Sequence, residues 1–259
     1  MSKKKFKYIY GPVPSWRLGN SLGIDPVSTG RKICTFDCVY CQINQSTQFT
    51  DKRRIFIKSE DIIRELSELP DVHIDYITFS GAGEPTLASN IGQMIRDIRK
   101  IRLEKIAVIT NASMLYREDV RKDLLNADLV MAKLDASTED VFKAVNRPIQ
   151  NISLEQVITG IKEFKRDFSG RLALQIMFVA QNRNQAKAIA DLAREIRPDE
   201  VQLNTPLRPS GEKPLKKSEL DSIEAYFKGL NCVSVYKAKK THIDPISDAD
   251  TLKRRGKVL

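Results

Sequence analysis

Tyr76-Ile-Thr-Phe79, then Ser80-Gly81-Ala82-Gly83-Glu84-Pro85, then an apolar stripe at Leu87, Ile91, Met94, Ile95 and Ile98: this stretch decides the fold. The first run is too short for a buried helix and rich in β-formers, whereas the stripe repeats with helical period. Strand, glycine loop and helix in that order make one unit of an α/β protein. The unit recurs on both sides. Strands are read at 22–24, 106–109, 129–134, 172–179 and 201–203, with helical stripes at Ile62, Ile63, Leu66 and Leu69, at Leu154, Val157, Ile158, Ile161 and Phe164, and at Ile189, Leu192, Ala193 and Ile196. Such alternation predicts a parallel sheet with right-handed crossovers, either doubly wound or curled into a barrel. Polar or small residues follow each strand, and the carboxyl ends of parallel strands are where these folds place their sites.

The rest of the chain sets the limits. It has 259 residues with a net charge of +10, and 41% of them are hydrophobic, so a large core is available and a disordered chain is excluded. No apolar run approaches the roughly 18–20 residues of a membrane span, and no signal-peptide core follows the basic start, so a cytoplasmic protein is expected. After Pro209 the alternation breaks into a Gly/Pro/Lys linker, a helix at 218–228, a strand at 233–236 and a basic tail. The expected division is a core with an N-terminal arm over 1–209 and a C-terminal extension over 210–259. Lysine and arginine cluster at Lys3-Lys4-Lys5-Lys7, Lys52-Arg53-Arg54, Lys213-Lys216-Lys217, Lys237-Lys239-Lys240 and Lys253-Arg254-Arg255. That charge suits a polyanionic partner, and equally a surface made for solubility.

Cys34-Thr-Phe-Asp-Cys38-Val-Tyr-Cys41 places three of the four cysteines in one loop. In a reducing compartment such a cluster holds metal in preference to disulfides. Structural zinc wants four closed ligands, whereas three thiolates on a four-iron cube leave one iron open for chemistry. The spacing favours the iron–sulfur cube; zinc closed by the distant Cys232 is the alternative.

These cysteines, with Gly81-Ala82-Gly83-Glu84-Pro85 after a strand, resemble the radical S-adenosylmethionine (SAM) superfamily over about Gly11 to Arg208. The resemblance implies a partial (β/α)6 TIM-type barrel in which Cys34, Cys38 and Cys41 hold a [4Fe–4S] cluster whose open iron chelates SAM. It implies that Gly81 and Gly83 let the backbone approach the ligand and that Glu84 pairs with the methionine ammonium. Tyr40 would lie beside the adenine, and Asn111 near the ribose and carboxylate, although Thr110-Asn111-Ala112 departs from the commoner Thr-Asn-Gly. Asp135 would bind ribose, carboxylate or substrate, or else cap the helix that follows it. Gln175 and Asn204, amides on otherwise apolar strands, are candidates for the adenosyl or substrate pocket. Reductive cleavage of SAM to a 5′-deoxyadenosyl radical follows, with an external one-electron donor of flavodoxin or ferredoxin type.

Gly11-Pro-Val-Pro-Ser15-Trp-Arg17-Leu-Gly19, Val145-Asn-Arg147-Pro148 and Gln202-Leu-Asn-Thr-Pro-Leu-Arg208 further resemble a subfamily related to the wyosine (tRNA imidazo-guanosine) synthases. Those synthases carry extra N-terminal cysteines, absent from residues 1–33 here. A tRNA nucleoside is the substrate this implies. A small molecule or peptide is the alternative within the chemistry. A non-enzymatic iron–sulfur electron carrier or a zinc nucleic-acid-binding protein is the alternative outside it.

Overall fold

A computed structural model describes residues 6–43, 47–238 and 243–255. Lys3, Lys4, Lys5, Lys239, Lys240 and the side chains of Lys253 and Arg255 therefore lie outside the described residues.

The chain begins with a hairpin, β1 (Ile9–Ser15) and β2 (Gly19–Ile24), followed by two short paired strands, β3 (Lys32–Cys34) and β4 (Thr47–Phe49). Then come α1 (Ser59–Ser67), β5 (Tyr76–Phe79), α2 (Ile91–Ile101), β6 (Lys105–Thr110), α3 (Glu118–Leu124), β7 (Leu129–Lys133), α4 (Glu139–Val145) and α5 (Leu154–Asp167). β8 (Arg171–Met177), α6 (Ala186–Ile196), β9 (Glu200–Asn204), α7 (Lys217–Glu224), β10 (Cys232–Ser234) and α8 (Asp248–Arg255) complete it. One sheet runs β1-β2-β5-β6-β7-β8-β9-β10, antiparallel at β1–β2 and parallel elsewhere. It is the mixed sheet of a half-barrel. Six of the expected strands form its middle, the strand expected at 233–236 is the edge strand β10, and β1 extends the other edge.

Alternation along each strand sorts side chains onto two faces. Leu22, Ile77, Val108, Val130, Leu174 and Leu203 join Ile62, Met94, Ile95, Ile161 and Ile189 of the helices in one large core. Fully burying each such side chain is worth roughly 1.5–3 kcal/mol. α5 is also fixed at its start, where Ser153 Oγ accepts from Gln156 N at 3.2 Å and Gln156 Oε1 accepts from Ser153 N at 2.9 Å. On the opposite, concave face, Ala107, Leu129, Met131 and Ala173 close over Leu18 from the β1–β2 turn, giving an apolar floor.

β1 holds Pro12 and Pro14 and is the sheet's edge, the place prolines are tolerated. The C-terminal segment covers that edge. Ile246 N donates to Gly11 O at 2.7 Å, and Gly11 N donates to Thr251 Oγ1 at 3.2 Å. From α8 the buried Arg254 reaches the buried Asp25, Nε to Oδ2 3.5 Å. Among the described residues no helix is long and apolar enough to cross a membrane.

Candidate functional site

The cysteine loop lies across the carboxyl ends of the strands and is sewn down on two sides. Glu84 N donates to Ile33 O at 2.9 Å on one side. On the other, Asp37 N donates to Arg147 O at 3.1 Å, Val39 N to Val145 O at 2.9 Å, and Ile149 N to Thr35 O at 3.0 Å. The chain turns at Arg147, whose φ of 46° is left-handed, so the Val145–Ile149 segment can lie against the loop. Cys41 N donates to Cys38 O at 2.9 Å, which brings the last two cysteines round one tight turn.

All three thiols are free and partly buried. Burial, then the Glu84 carboxylate, pushes Cys34 up to about 12; burial, then Asp135, pushes Cys38 up to about 11. Binding a metal displaces the protons of such thiols. Lys32 sits among them with its side chain 5% exposed and its ammonium 3.5 Å from Asp37. Burial opposes its charge, but the thiols, Cys41 and Cys34 foremost, outweigh that and hold its pKa above the ordinary value. Among the described residues no three His, Cys, Asp or Glu side chains gather on one point as a single ion requires. Cys232 opens β10 beside Val201, near the start of β9, whereas the cysteine loop meets the far ends of the strands. Zinc closed by Cys232 is excluded by that placement. A cube, whose thiolates bind different irons, suits the set.

The glycines serve close approaches within the protein. A Cβ on Gly83 would stand 1.9 Å from Ile33 O, and one on Gly81, where φ is 133°, would stand 2.5 Å from the Asp25 carboxyl carbon. Asp25 Oδ2 in turn accepts from Ala82 N at 3.3 Å. Glu84 is 2% exposed. Its Oε1 accepts from Thr86 N at 3.1 Å, Thr86 Oγ1 at 2.6 Å and Thr110 Oγ1 at 2.6 Å, and its Oε2 from Asn111 N at 2.7 Å. Burial raises its pKa against these bonds. The carboxylate thus ties the glycine loop to the end of β6, and only Oε2 keeps acceptor capacity for a ligand.

Asn111 Nδ2 donates to Thr35 Oγ1 at 2.7 Å and to Cys34 Sγ at 3.6 Å. The next residue, Ala112, has φ 65°, so the Thr-Asn-Ala turn keeps the left-handed geometry natural to glycine, at a cost of roughly 1–2 kcal/mol. Tyr40 is buried and its hydroxyl donates to Asp135 Oδ2. Burial, then Asp135, raises its pKa well above the usual tyrosine value. Asp135 Oδ2 also accepts from Asn146 Nδ2 at 2.8 Å, Oδ1 from Met177 N at 2.7 Å, and Lys133 Nζ lies 3.4 Å away. The N-cap of α4 is Thr138, so the capping role considered for Asp135 falls away. Lys133 Nζ also sits 4.9 Å from the Tyr40 ring centre.

Lys133, Gln175 and Gln202 are successive partners in the register of β7, β8 and β9. They share the concave face, above the apolar floor of Met131 and Ala173. Gln175 Nε2 and Gln202 Oε1 are buried without hydrogen-bond partners. Gln202 Nε2 is held by Glu200 Oε1 at 2.7 Å. Asn204 ends β9, with its Oδ1 accepting from Thr205 N at 2.9 Å. Lys133, Asn146 and Gln202 were not singled out as site residues from sequence. Gln202, an amide between Val201 and Leu203, carried the same signal as Gln175.

The radical SAM superfamily profile matches residues 31–193. A UPF0026 protein of Synechocystis sp. is 43% identical over 82% of this chain and 79% of its own length. A probable GTP 3′,8-cyclase of Saccharolobus solfataricus is 24% identical over 82% of this chain and 66% of its own. Among solved structures, Streptococcus suis SuiB bound to S-adenosylmethionine shares the fold with TM-score 0.61 and 16% identity, covering 79% of this chain and 48% of SuiB. The chain thus spans about half of that structure. A family match over most of the chain, taking in the cysteine loop and the glycine loop, leaves one assignment: this chain belongs to the radical SAM superfamily, whose cofactors are a [4Fe–4S] cluster and SAM.

Proposed function

We propose that this radical SAM enzyme acts on a guanine nucleoside. When bound, cluster and SAM supply one-electron cleavage of the sulfonium to methionine and a 5′-deoxyadenosyl radical, with the electron coming from an external donor. Cys34, Cys38 and Cys41 would hold the cluster, and the loop braced by Glu84 and Asp25 would carry the SAM methionine. Tyr40, fixed by Asp135 and Asn146, shapes the wall beside them. The packed floor keeps water and stray hydrogen donors from the radical.

The Lys133–Gln175–Gln202 row carries the substrate reading. Read across the strands it offers a donor, a donor and an acceptor, the last two unsatisfied in the structure. Its complement is an edge presenting acceptor, acceptor and donor, as guanine does at N7, O6 and N1–H. Adenine presents acceptor, donor, acceptor and leaves both amides unpaired, which is the strongest form of rejection. The similarity to proteins named probable GTP 3′,8-cyclases and the sequence resemblance to tRNA imidazo-guanosine synthases support the same base. The guanine is presented either in a free nucleotide or in tRNA. The test is anaerobic incubation of reconstituted protein with SAM and dithionite, following 5′-deoxyadenosine. GTP or unmodified tRNA should accelerate its release and ATP should not. Acceleration by peptides alone would overturn the reading, and the response to GTP against tRNA separates the two sources.

A further inference from the structure

We propose that Asn111 and Asn146 donate N–H···S hydrogen bonds to the cluster thiolates of Cys34 and Cys38 and so raise the cluster's reduction potential. The proposal rests on the radical SAM assignment and names residues that act on the cluster through its ligands.

Two separate elements aim an amide at two separate sulfurs. Asn111 follows β6, and its Nδ2 lies 3.6 Å from Cys34 Sγ. Asn146 follows α4, and its Nδ2 lies 3.7 Å from Cys38 Sγ. Each amide is oriented by groups other than the sulfur. Asn111 Oδ1 accepts from Ser113 N at 3.0 Å, so its NH2 must face the opposite way, where one hydrogen goes to Thr35 Oγ1 and the other to the sulfur. Asn146 is 2% exposed, and its NH2 is held by the Asp135 carboxylate at 2.8 Å, which would repel an amide oxygen in that place, and shared between the Tyr40 hydroxyl at 3.2 Å and the Cys38 sulfur at 3.7 Å. Its own Oδ1 is buried with no partner, so the structure gives up a hydrogen bond to keep the NH2 towards Cys38 and Asp135. Buried amides are ordinarily satisfied.

An N–H pointed at a thiolate stabilises the extra electron of the reduced cluster, and hydrogen bonds to cluster sulfurs are among the determinants of potential. Lowering the demand on the external donor is the consequence. Removing one donor shifts the balance the other way.

The test uses the full chain, reconstituted anaerobically, with wild type, Asn111→Asp, Asn146→Leu and Asn146→Gln compared. Iron content and an EPR-monitored redox titration without SAM are the readouts. Asn146→Leu should keep about four irons and show about a ten-fold lower reduced-to-oxidised ratio at a fixed poise, which is about 59 mV for a one-electron couple. Asn146→Gln, which retains a donor, should recover most of that shift. Asn111→Asp keeps the acceptor that Ser113 needs and should move the potential in the same direction as Asn146→Leu. Full clusters with unchanged potentials would overturn the proposal. If a variant fails to load, wild-type protein labelled with nitrogen-15 in its asparagine side-chain amides decides instead. Electron-spin-echo spectra of the reduced cluster should show nitrogen coupling, and its absence would equally overturn the proposal. Wild type without iron would refute the cluster assignment itself, a distinct failure.

Discussion

At the scale of single residues, the site is held by atoms with no room to move. A methyl group on Gly83 would meet a backbone carbonyl, not a side-chain tip, so the loop must shift. Gly83→Ala should cost about 1–3 kcal/mol in thermal unfolding and impair cluster loading more than it lowers secondary structure. Far-UV circular dichroism with iron counts checks this; a fully loaded, equally stable variant would contradict it. Cys232→Ala, by contrast, should leave iron content unchanged, because that sulfur lies at the other end of the sheet. The cysteine cluster was legible in the spacing of Cys34, Cys38 and Cys41, whereas Glu84, Asn111 and Asp135 were singled out through the family resemblance, since polar residues after strands are ordinary in loops. What each side chain touches was not. The Glu84 contact with Thr86 is local, but those with residues 110 and 111 come from the neighbouring strand β6 and the residue after it, which only the folded sheet brings beside β5.

At the scale of elements, the middle strands and the helices with long apolar stripes were readable, since each buries a face that writes its period into the sequence. β1 was not, because Gly11-Pro12-Val13-Pro14 has turn chemistry that only an edge strand accepts. α3 and α8 were missed as well, being short and highly charged. Several cations counted as surface charge turn out to be joints between elements. Arg53, with its side chain 7% exposed, binds Asp119 at 2.7 Å and Asp123 at 2.5 Å on α3 while donating to Thr86 O and Ala88 O. Arg117 first, then Arg53 against opposing burial, holds the Asp119 carboxyl well below the usual carboxylate range. The folded pKa is depressed, so this stabilisation is complete above the unfolded value of about 3.9 and is lost as pH falls through the folded one. Melting curves should therefore show stability falling below about pH 4, and Arg53→Gln should flatten that dependence. An unchanged acid limb would show that the pair adds nothing.

At the scale of the whole molecule, the net charge of +10 is less available than composition implies. Lys217 and Lys237 pair with Asp221 and Glu224, and Arg254 is buried, while Lys52, Arg54, Lys213 and Lys216 stay exposed. If guanosine is presented in tRNA, replacing Lys213 and Lys216 by glutamine should reduce the salt slope of binding by about 0.7–0.9 per lost phosphate contact. The SAM cleavage that occurs without substrate should not change. A slope untouched by both replacements would place the anion elsewhere or favour the free nucleotide. The clasp between β1 and the C-terminal segment has a further consequence, in time. Gly11 and Thr251 are 240 residues apart in the chain. At about 5–20 residues per second, ribosomal synthesis separates their emergence by roughly 12–48 s. Until that interval ends the first strand of the sheet lacks these partners on its outer edge, whereas Cys34 to Asn146, the residues placed at the cluster, are all made before it closes.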